Sequence, residues 1–476
     1  MKCVAVYPDH GQGKFLSDFI SSYSPELGGT MEIPELGSDH NLRIKKTSML
    51  VLATKKNSIS LKKKFLQDGW SSVIDYIEFL DSYEPSEVTR ICEELLDGKP
   101  SITFKIPSNF KSMYGEIPSI LAELGINVIL LLENENAQSN FHPACKILSG
   151  MHPFFEYYML KYSRLFIADD SLIRHDFCRS RDTPKAIHFL HATNTVEAFI
   201  DMKHSDEYVS SYYNKQIIPF FDYFFLPTKA YLGVYRSCIE VLNDGKEKWL
   251  APVGSISLDR AIKFNKSRAS QQDSILFIPT SWDENSTFYR QEYQSLPTRG
   301  FEIVERLLNE FPKKRVILRP HPNALHLKAH RNVIDKINSE FRNEQRYSFD
   351  AEPSYRESFE RSALSISDCS SSAFTFSLST SRPSITFQNI KRPTMHTIMG
   401  QNYHSKRDKL GPIVSDLQNL ISETSSCLSN PNRFQDSINE LRQNHYFNIG
   451  SVEENIAYRL VDLLFGKEGQ EWIKVR

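Results

Sequence analysis

Three serines in a row, Ser370, Ser371 and Ser372, follow Asp368 and Cys369 inside the stretch SISDCSSSAFTFSLSTSRPSITF, at the point where an apolar run gives way to a helix-like one. Hydroxyls and backbone N–H groups at a helix start make an anion site, because the helix dipole adds partial positive charge there. Asp and Ser are also the favoured N-caps of any helix, so capping alone accounts for the same residues. No GxxxxGK precedes the cluster, which excludes a Walker-type phosphate loop. A second group, Arg319-Pro320-His321-Pro322, presents an imidazole on a loop stiffened by two prolines, beside a guanidinium suited to a diphosphate; a plain turn is the competing account. In a third, His191-Ala192-Thr193, the imidazole could take a proton from a hydroxyl near neutral pH, although a lone histidine is more often an interface or capping group. Its neighbour His188 belongs to the opposite face of the strand. A fourth, Pro279-Thr280-Ser281-Trp282, offers two hydroxyls to a phosphate, and Val253-Gly254-Ser255 with Asp259 completes the set.

All five groups follow short apolar runs rich in β-forming residues. In the first half such runs are 3–7, 49–53, 102–106, 126–132, 165–168 and 186–190, with helical spacing between several of them, as over 87–96 and 118–124. The second half repeats the alternation. Strands are expected at 249–253, 275–278, 315–318, 364–367 and 384–387, and helices at 299–311, 327–341, 355–361 and 373–379, with closing helices near 413–428 and 452–465. The pattern predicts an α/β protein of two Rossmann-like, doubly wound domains facing a cleft, where open sheets bind ligands beyond their strands' carboxyl ends. The turn Asn243-Asp244-Gly245 marks the boundary. The divisions are therefore an acceptor-side domain over 1–243, a nucleotide-donor domain over 244–450, and a C-terminal helix over 451–476 that packs back on the first domain.

Taken in order, HAT, VGSxxxD, PTSW, RPHP and SDCSS resemble the series HGT, GxPxxD, PTWR, RxHP and TDYSS of the CDP-glycerol glycerophosphotransferase family of teichoic acid and capsule synthesis in bacteria. The similarity spans roughly 162–388. It implies a GT-B-like architecture with the nucleotide in the second domain and the acceptor approached from the first. His191 and His321 become the catalytic candidates, His191 as the base that activates the acceptor hydroxyl. Arg319, Asp368, Ser370, Ser371, Ser372, Thr280, Ser281 and Gly254 become the donor-diphosphate candidates, with Asp368 ordering its loop. The departures are Ala192 for the family's glycine, Ser281 inserted before Trp282, Asp283 where arginine is common, Cys369 for an aromatic residue, and Thr375 where aspartate is frequent. They bear on the donor more than on the fold.

The implied reaction transfers a glycerophosphate-like unit from CDP-glycerol, or another cytidine-nucleotide donor, to a hydroxyl of a glycan or lipid-linked polymer, with CMP leaving. No cofactor is expected, and no metal. Two rivals stay open. One is a GT-B glycosyltransferase that uses a CMP-activated acidic sugar of the Kdo or sialic acid type, with Asp169 or Asp170 as its base. The other is a non-catalytic nucleotide- or polymer-binding protein. A chain of 476 residues with formal charge −1 is too long for one core and argues against a nucleic-acid partner. Seven cysteines scattered singly fit a reducing cytoplasm, and no run reaches the length of a signal peptide's core or a membrane span. The basic pairs and triplet Lys45-Lys46, Lys55-Lys56 and Lys62-Lys63-Lys64 could approach the cytoplasmic face of a membrane, a solvated surface being the plainer account.

Overall fold

The computed structural model of the protein describes residues 4–7, 30–32, 49–52, 65–67, 72–75, 79, 86–106, 113–132, 141–149, 155–169, 185–189, 217–242, 245–266, 272–281, 294–352, 354–368, 370, 372–388, 404–467, 469 and 471–475. Three sheets carry the fold. The first is all parallel, with β1 (Val4–Tyr7), β2 (Thr30–Glu32), β3 (Met49–Leu52) and β4 (Ser72–Asp75) in the order β2-β1-β3-β4. The second follows helix α1 (Ser86–Leu96). In chain order it contains β5 (Ser101–Ile106), α2 (Ile117–Glu123), β6 (Asn127–Leu132), β7 (Lys146–Ser149), α3 (Phe155–Tyr162), β8 (Leu165–Ala168), β9 (Lys185–Phe189), β10 (Tyr223–Leu226), α4 (Lys229–Leu242) and β11 (Trp249–Pro252).

Helix α5 (Ile256–Lys266) leads into the third sheet. Its elements are β12 (Ser274–Phe277), α6 (Ser295–Glu310), β13 (Arg315–Leu318), α7 (Lys328–Glu340), β14 (Tyr347–Phe349), α8 (Arg356–Arg361), β15 (Ser362–Ser367), α9 (Ser372–Thr380), β16 (Ser384–Phe387), α10 (His404–Arg407) and β17 (Ile413–Val414). Helices α11 (Leu417–Ser429), α12 (Gln435–His445) and α13 (Val452–Leu464) precede the last strand, β18 (Ile473–Lys474). The second sheet runs β18-β11-β10-β9-β8-β5-β6-β7, parallel except for β18, and the third runs β14-β13-β12-β15-β16-β17, parallel throughout.

Two Rossmann-like domains are thus present. Parallel strands must be covered on both faces, and β6 shows how the sequence meets that need. Val128, Leu130 and Leu132 join one apolar cluster, while Ile129 and Leu131 join the cluster on the other face. His188 on β9 is fully buried, packs on Phe221 and has its Nδ1 3.2 Å from the Tyr235 hydroxyl, so it is a core histidine.

The change of domain lies further along than the expected boundary at 243/244. Strand β11 pairs in parallel with β10, so the chain leaves the second sheet only through α5. Gly245, with φ +75°, lies between α4 and β11, both of the second sheet's unit. Nor is 1–243 a single layer, since β1 to β4 form a sheet of their own. Residues 413–414, expected to open a helix, instead form β17; α11 starts after Asp416, whose carboxylate accepts from the Asn419 N–H at 2.8 Å.

After α12 the chain crosses back, α13 packing on α2 and β18 pairing antiparallel with β11. The crossing is tight at Gly254, which has φ +99° and whose added Cβ would stand 2.3 Å from the Phe447 carbonyl oxygen. Asn448 bonds the Pro252 and Val253 carbonyls, and the Gly450 N–H donates to Asp259 Oδ1 at 2.5 Å. Asp259 and Gly254 therefore hold the crossing. Beside them Glu453 accepts from the Glu116 N–H at 2.6 Å and from Arg260 Nε at 3.1 Å. The domains share an apolar seam in which Leu258 and Ile262 of α5 join Phe374 and Leu378 of α9.

Gly254→Ala combines a left-handed backbone with a backbone clash, and a loss of about 3 kcal/mol is expected, measured by urea unfolding. A change under about 0.5 kcal/mol would show that the crossing is not tight.

Candidate functional site

Strand order reverses between β12 and β15 in the third sheet, and between β5 and β8 in the second. A crevice opens at such a point because the connections leave on opposite faces. The PTSW and SDCSS groups follow β12 and β15, so sequence spacing has put both on one switch point. Asp368 joins them. It is 2% exposed, its Oδ1 accepts from the Thr280 N–H at 2.8 Å, and its Oδ2 accepts from the Ser295 N–H at 2.8 Å and the Ser295 hydroxyl at 2.9 Å. Ser295 opens α6, so the carboxylate meets the positive end of that helix. The Asp368 carbonyl accepts from the Arg407 guanidinium, itself 2% exposed. Asp368 is a positioning residue rather than a direct ligand of a diphosphate.

Ser370 caps α9: its Oγ accepts from the Ser372 N–H at 3.2 Å and its carbonyl accepts from the Ala373 N–H at 3.3 Å. Ser372 is the first residue of α9. Thr280 and Ser281 are both buried, and the Ser281 hydroxyl has no hydrogen-bond partner among the described residues. A buried polar group without a partner is costly, so this hydroxyl is a natural donor to a ligand at the switch point.

On the neighbouring strand β13 the two candidates separate. Arg319 is committed to structure, since its Nη1 lies 2.6 Å from Asp350 Oδ2 and its Nη2 donates to the Glu352 carbonyl at 2.6 Å. Burial raises the Asp350 carboxyl, but hydrogen bonds from Ser358 and the Glu352 N–H and the Arg319 charge outweigh it and leave the pKa below its ordinary value. Arg319 thus ties the end of β13 to that of β14. His321 remains at the surface, where its Nδ1 accepts from the Asn323 N–H at 3.2 Å. Loss of hydration lowers its pKa, which favours the neutral ring. With Nδ1 accepting, the proton sits on Nε2, which is left to donate. Strand β12 lies between β13 and β15, so His321 and Ser370 share an edge about 10 Å apart by strand spacing.

Gly254 is excluded from this site. It follows β11 in the other domain, its N–H donates to the Leu226 carbonyl, and the chain crossing fills its open side. His191, Ser371, Asp170, Cys369, Trp282, Asp283 and the three lysine clusters lie outside the described residues. Asp169 follows β8 at the other switch point and is fully buried.

Sequence reasoning missed several charged and polar groups that only the fold brings together. Arg407 and Lys406 come from a basic run, His404 to Arg407, that carried no motif. Lys229 opens α4 just beyond β10, and His445 ends α12. Burial, then the charges of Lys406 and Lys229, push the His445 pKa down to about 4, which places these groups in one electrostatic neighbourhood spanning both domains. Gln294 Oε1 meets His330 Nε2 at 2.7 Å and fixes the start of α6 against α7. Among the described residues no cluster of metal-ligating side chains occurs, and no helix is long and apolar enough to cross a membrane.

The fold is shared with several solved structures. It superposes on a variant of the wall teichoic acid polymerase TagF with TM-score 0.53 at 13% identity, over 79% of this chain and 91% of that one. A second TagF structure gives TM-score 0.52 at 14% identity, covering 87% of this chain and 100% of the other. A putative UDP-N-acetylglucosamine 2-epimerase from Listeria monocytogenes gives 0.51 at 12%, over 78% and 98%. No family model and no curated protein matches the chain.

Two outcomes follow from the geometry. Asp368→Ala strands three buried donors, the Thr280 N–H and the Ser295 N–H and hydroxyl, and is expected to cost about 3 kcal/mol in urea unfolding, with Asp368→Asn costing less; equal, small losses would refute the linking role. His445 binds a proton less readily when folded than its ordinary value of 6.5, so the unfolded chain takes the proton first. Stability is then lost as pH falls from about 6.5 towards 4. Melting at pH 7 and pH 5 should show a smaller drop in His445→Gln than in the parent; an equal drop would count against the depressed value.

Proposed function

We propose that the protein is a transferase that moves a phosphate-linked unit from a nucleotide-activated donor to a hydroxyl of a surface polymer. The observation that carries this reading is the meeting of the PTSW and SDCSS loops at the β12/β15 switch point, clamped by Asp368 and backed by the Arg407 cation. A diphosphate there would find the Ser281 hydroxyl, the N-terminus of α9 and the Nε2–H of His321 on one sheet edge. Such fixed donors suit a transferring phosphoryl group, whose charge spreads over its outer oxygens.

The donor we favour is CDP-glycerol or another cytidine nucleotide, on the order of the five motifs and their resemblance to the glycerophosphotransferases. In this scheme His191 takes the acceptor's proton and the acceptor oxygen bonds to the donor's distal phosphorus. The bond from that phosphorus to the bridging oxygen breaks, and CMP leaves with the electron pair. The chain's own donors hold the charge, so no metal is required. Work at the cytoplasmic face of a membrane, on a lipid-linked acceptor, belongs to the same proposal.

The test is a melting panel with CMP, CDP, UDP, GDP and CDP-glycerol. A ligand at a hundred times its Kd stabilises the fold by about 2.7 kcal/mol, so the cytidine compounds should raise Tm most. Preference for a uridine or guanosine nucleotide would overturn the cytidine assignment. CMP release from CDP-glycerol should survive EDTA and vanish in His191→Ala with nucleotide binding retained. Turnover of a CMP-sugar instead would favour the glycosyltransferase, with Asp169 or Asp170 as base. Tight binding without release of CMP from either donor would mark a binding protein.

A further inference from the structure

A cavity of about 950 Å³ opens at the amino ends of β5, β8, β9, β10 and β11, the end of the second sheet opposite the switch points. Five cationic side chains line it, Lys99, Lys161, Arg164, Lys185 and Lys246, against two carboxylates. Both carboxylates are already engaged. Asp222 Oδ2 accepts from the Ala186 N–H at 2.9 Å, and Glu247 pairs with Lys474. Lys99 is held by Asp97 at 2.8 Å, and Lys185 lies over the Tyr223 ring, 5.2 Å from its centre. Arg164 is exposed and has no partner among the described residues.

A second observation points to a ligand. The Ser101 hydroxyl, on a lining residue only 1% exposed, has no hydrogen-bond partner among the described residues. Buried hydroxyls rarely stay unpaired, and here the open volume lies beside one. The walls are aromatic, with Tyr223 stacked on Trp249 at 6.3 Å and Tyr162 at the mouth. Cations with a buried donor suit phosphate oxygens, and ring faces suit the carbon skeleton of a sugar or polyol.

We propose that this cavity is a second ligand site, one that takes a phosphorylated sugar or polyol from solution. It rests on groups that share nothing with the donor site, so either can fail alone. The probe is glycerol 1-phosphate, titrated calorimetrically into the full chain at low salt. The parent should bind it, Arg164→Glu with Lys185→Glu should weaken binding at least tenfold, Arg164→Lys should keep most of it, and His321→Ala should leave it unchanged. Arg164→Gln alone, an exposed change, provides the reading if the double variant melts early; it should weaken binding about threefold.

No binding below 10 mM (roughly the limit set by the contacts available to a ligand this small) would overturn the proposal. So would affinity unaffected by the Arg164 variants, or affinity lost in His321→Ala instead. Flotation with phosphatidylglycerol vesicles separates the sources of phosphate: binding to vesicles with none to the soluble ester would assign the cavity to lipid headgroups and refute a solution ligand.

Discussion

A buried carboxylate with three donors converging on it is the constraint on which the candidate site depends. Asp368 leaves water only because Thr280 and Ser295 return the hydrogen bonds it loses and the α6 terminus offsets its charge. Those donors come from the segments that follow β12 and open α6, whereas the acid itself follows β15. Three pieces of chain far apart in sequence are thereby fixed against one another. The Arg407 bond to the Asp368 carbonyl adds a fourth, from beyond β16. What a ligand would meet is therefore set by groups that do not themselves touch it.

The second requirement is that the two sheets keep their relation. Loop closure between domains would be loose if α5 were the sole link. The chain passes twice instead, out through α5 and back through the segment between α12 and α13. Gly254 lets the two passes touch, Asp259 and Asn448 bind them by hydrogen bonds, and Glu453 ties the return to α2 and α5. The VGSxxxD group thus does its work at the crossing, not at a phosphate. Sharing a motif with a family does not say whether its residues bind ligand or hold the scaffold that does.

Central strands were legible because burial on both faces leaves a continuous apolar run, as in 102–106 and 126–132. Edge strands were not: β2, β7, β14 and β18 are short and partly polar, pairing on one side only, and nothing local distinguishes them from loops. The boundary was misplaced because Gly-containing turns mark every reversal of the chain, within a domain or between two. At the site, serine, histidine and proline at strand ends could be read from spacing. Arg407, Lys406, Lys229 and His445 could not, since single charges scattered over 200 residues acquire meaning only when the fold gathers them. Arg319 shows the converse, a guanidinium with the right neighbours in sequence and the wrong partner in space.

The serines pose a last question, whether capping a helix and holding a phosphate are competing roles. For Ser370 they are not. Its Oγ uses a lone pair to accept from the Ser372 N–H, and the hydroxyl proton remains to be donated elsewhere. Capping also fixes the rotamer, so that proton can be directed without the entropy cost of ordering a free side chain. A bound phosphate would draw on both the fixed hydroxyl and the helix end it stabilises. The residue that caps α9 is therefore better prepared to bind an anion for having done so, and a cap at a switch point differs from a cap anywhere else only in what lies beyond it.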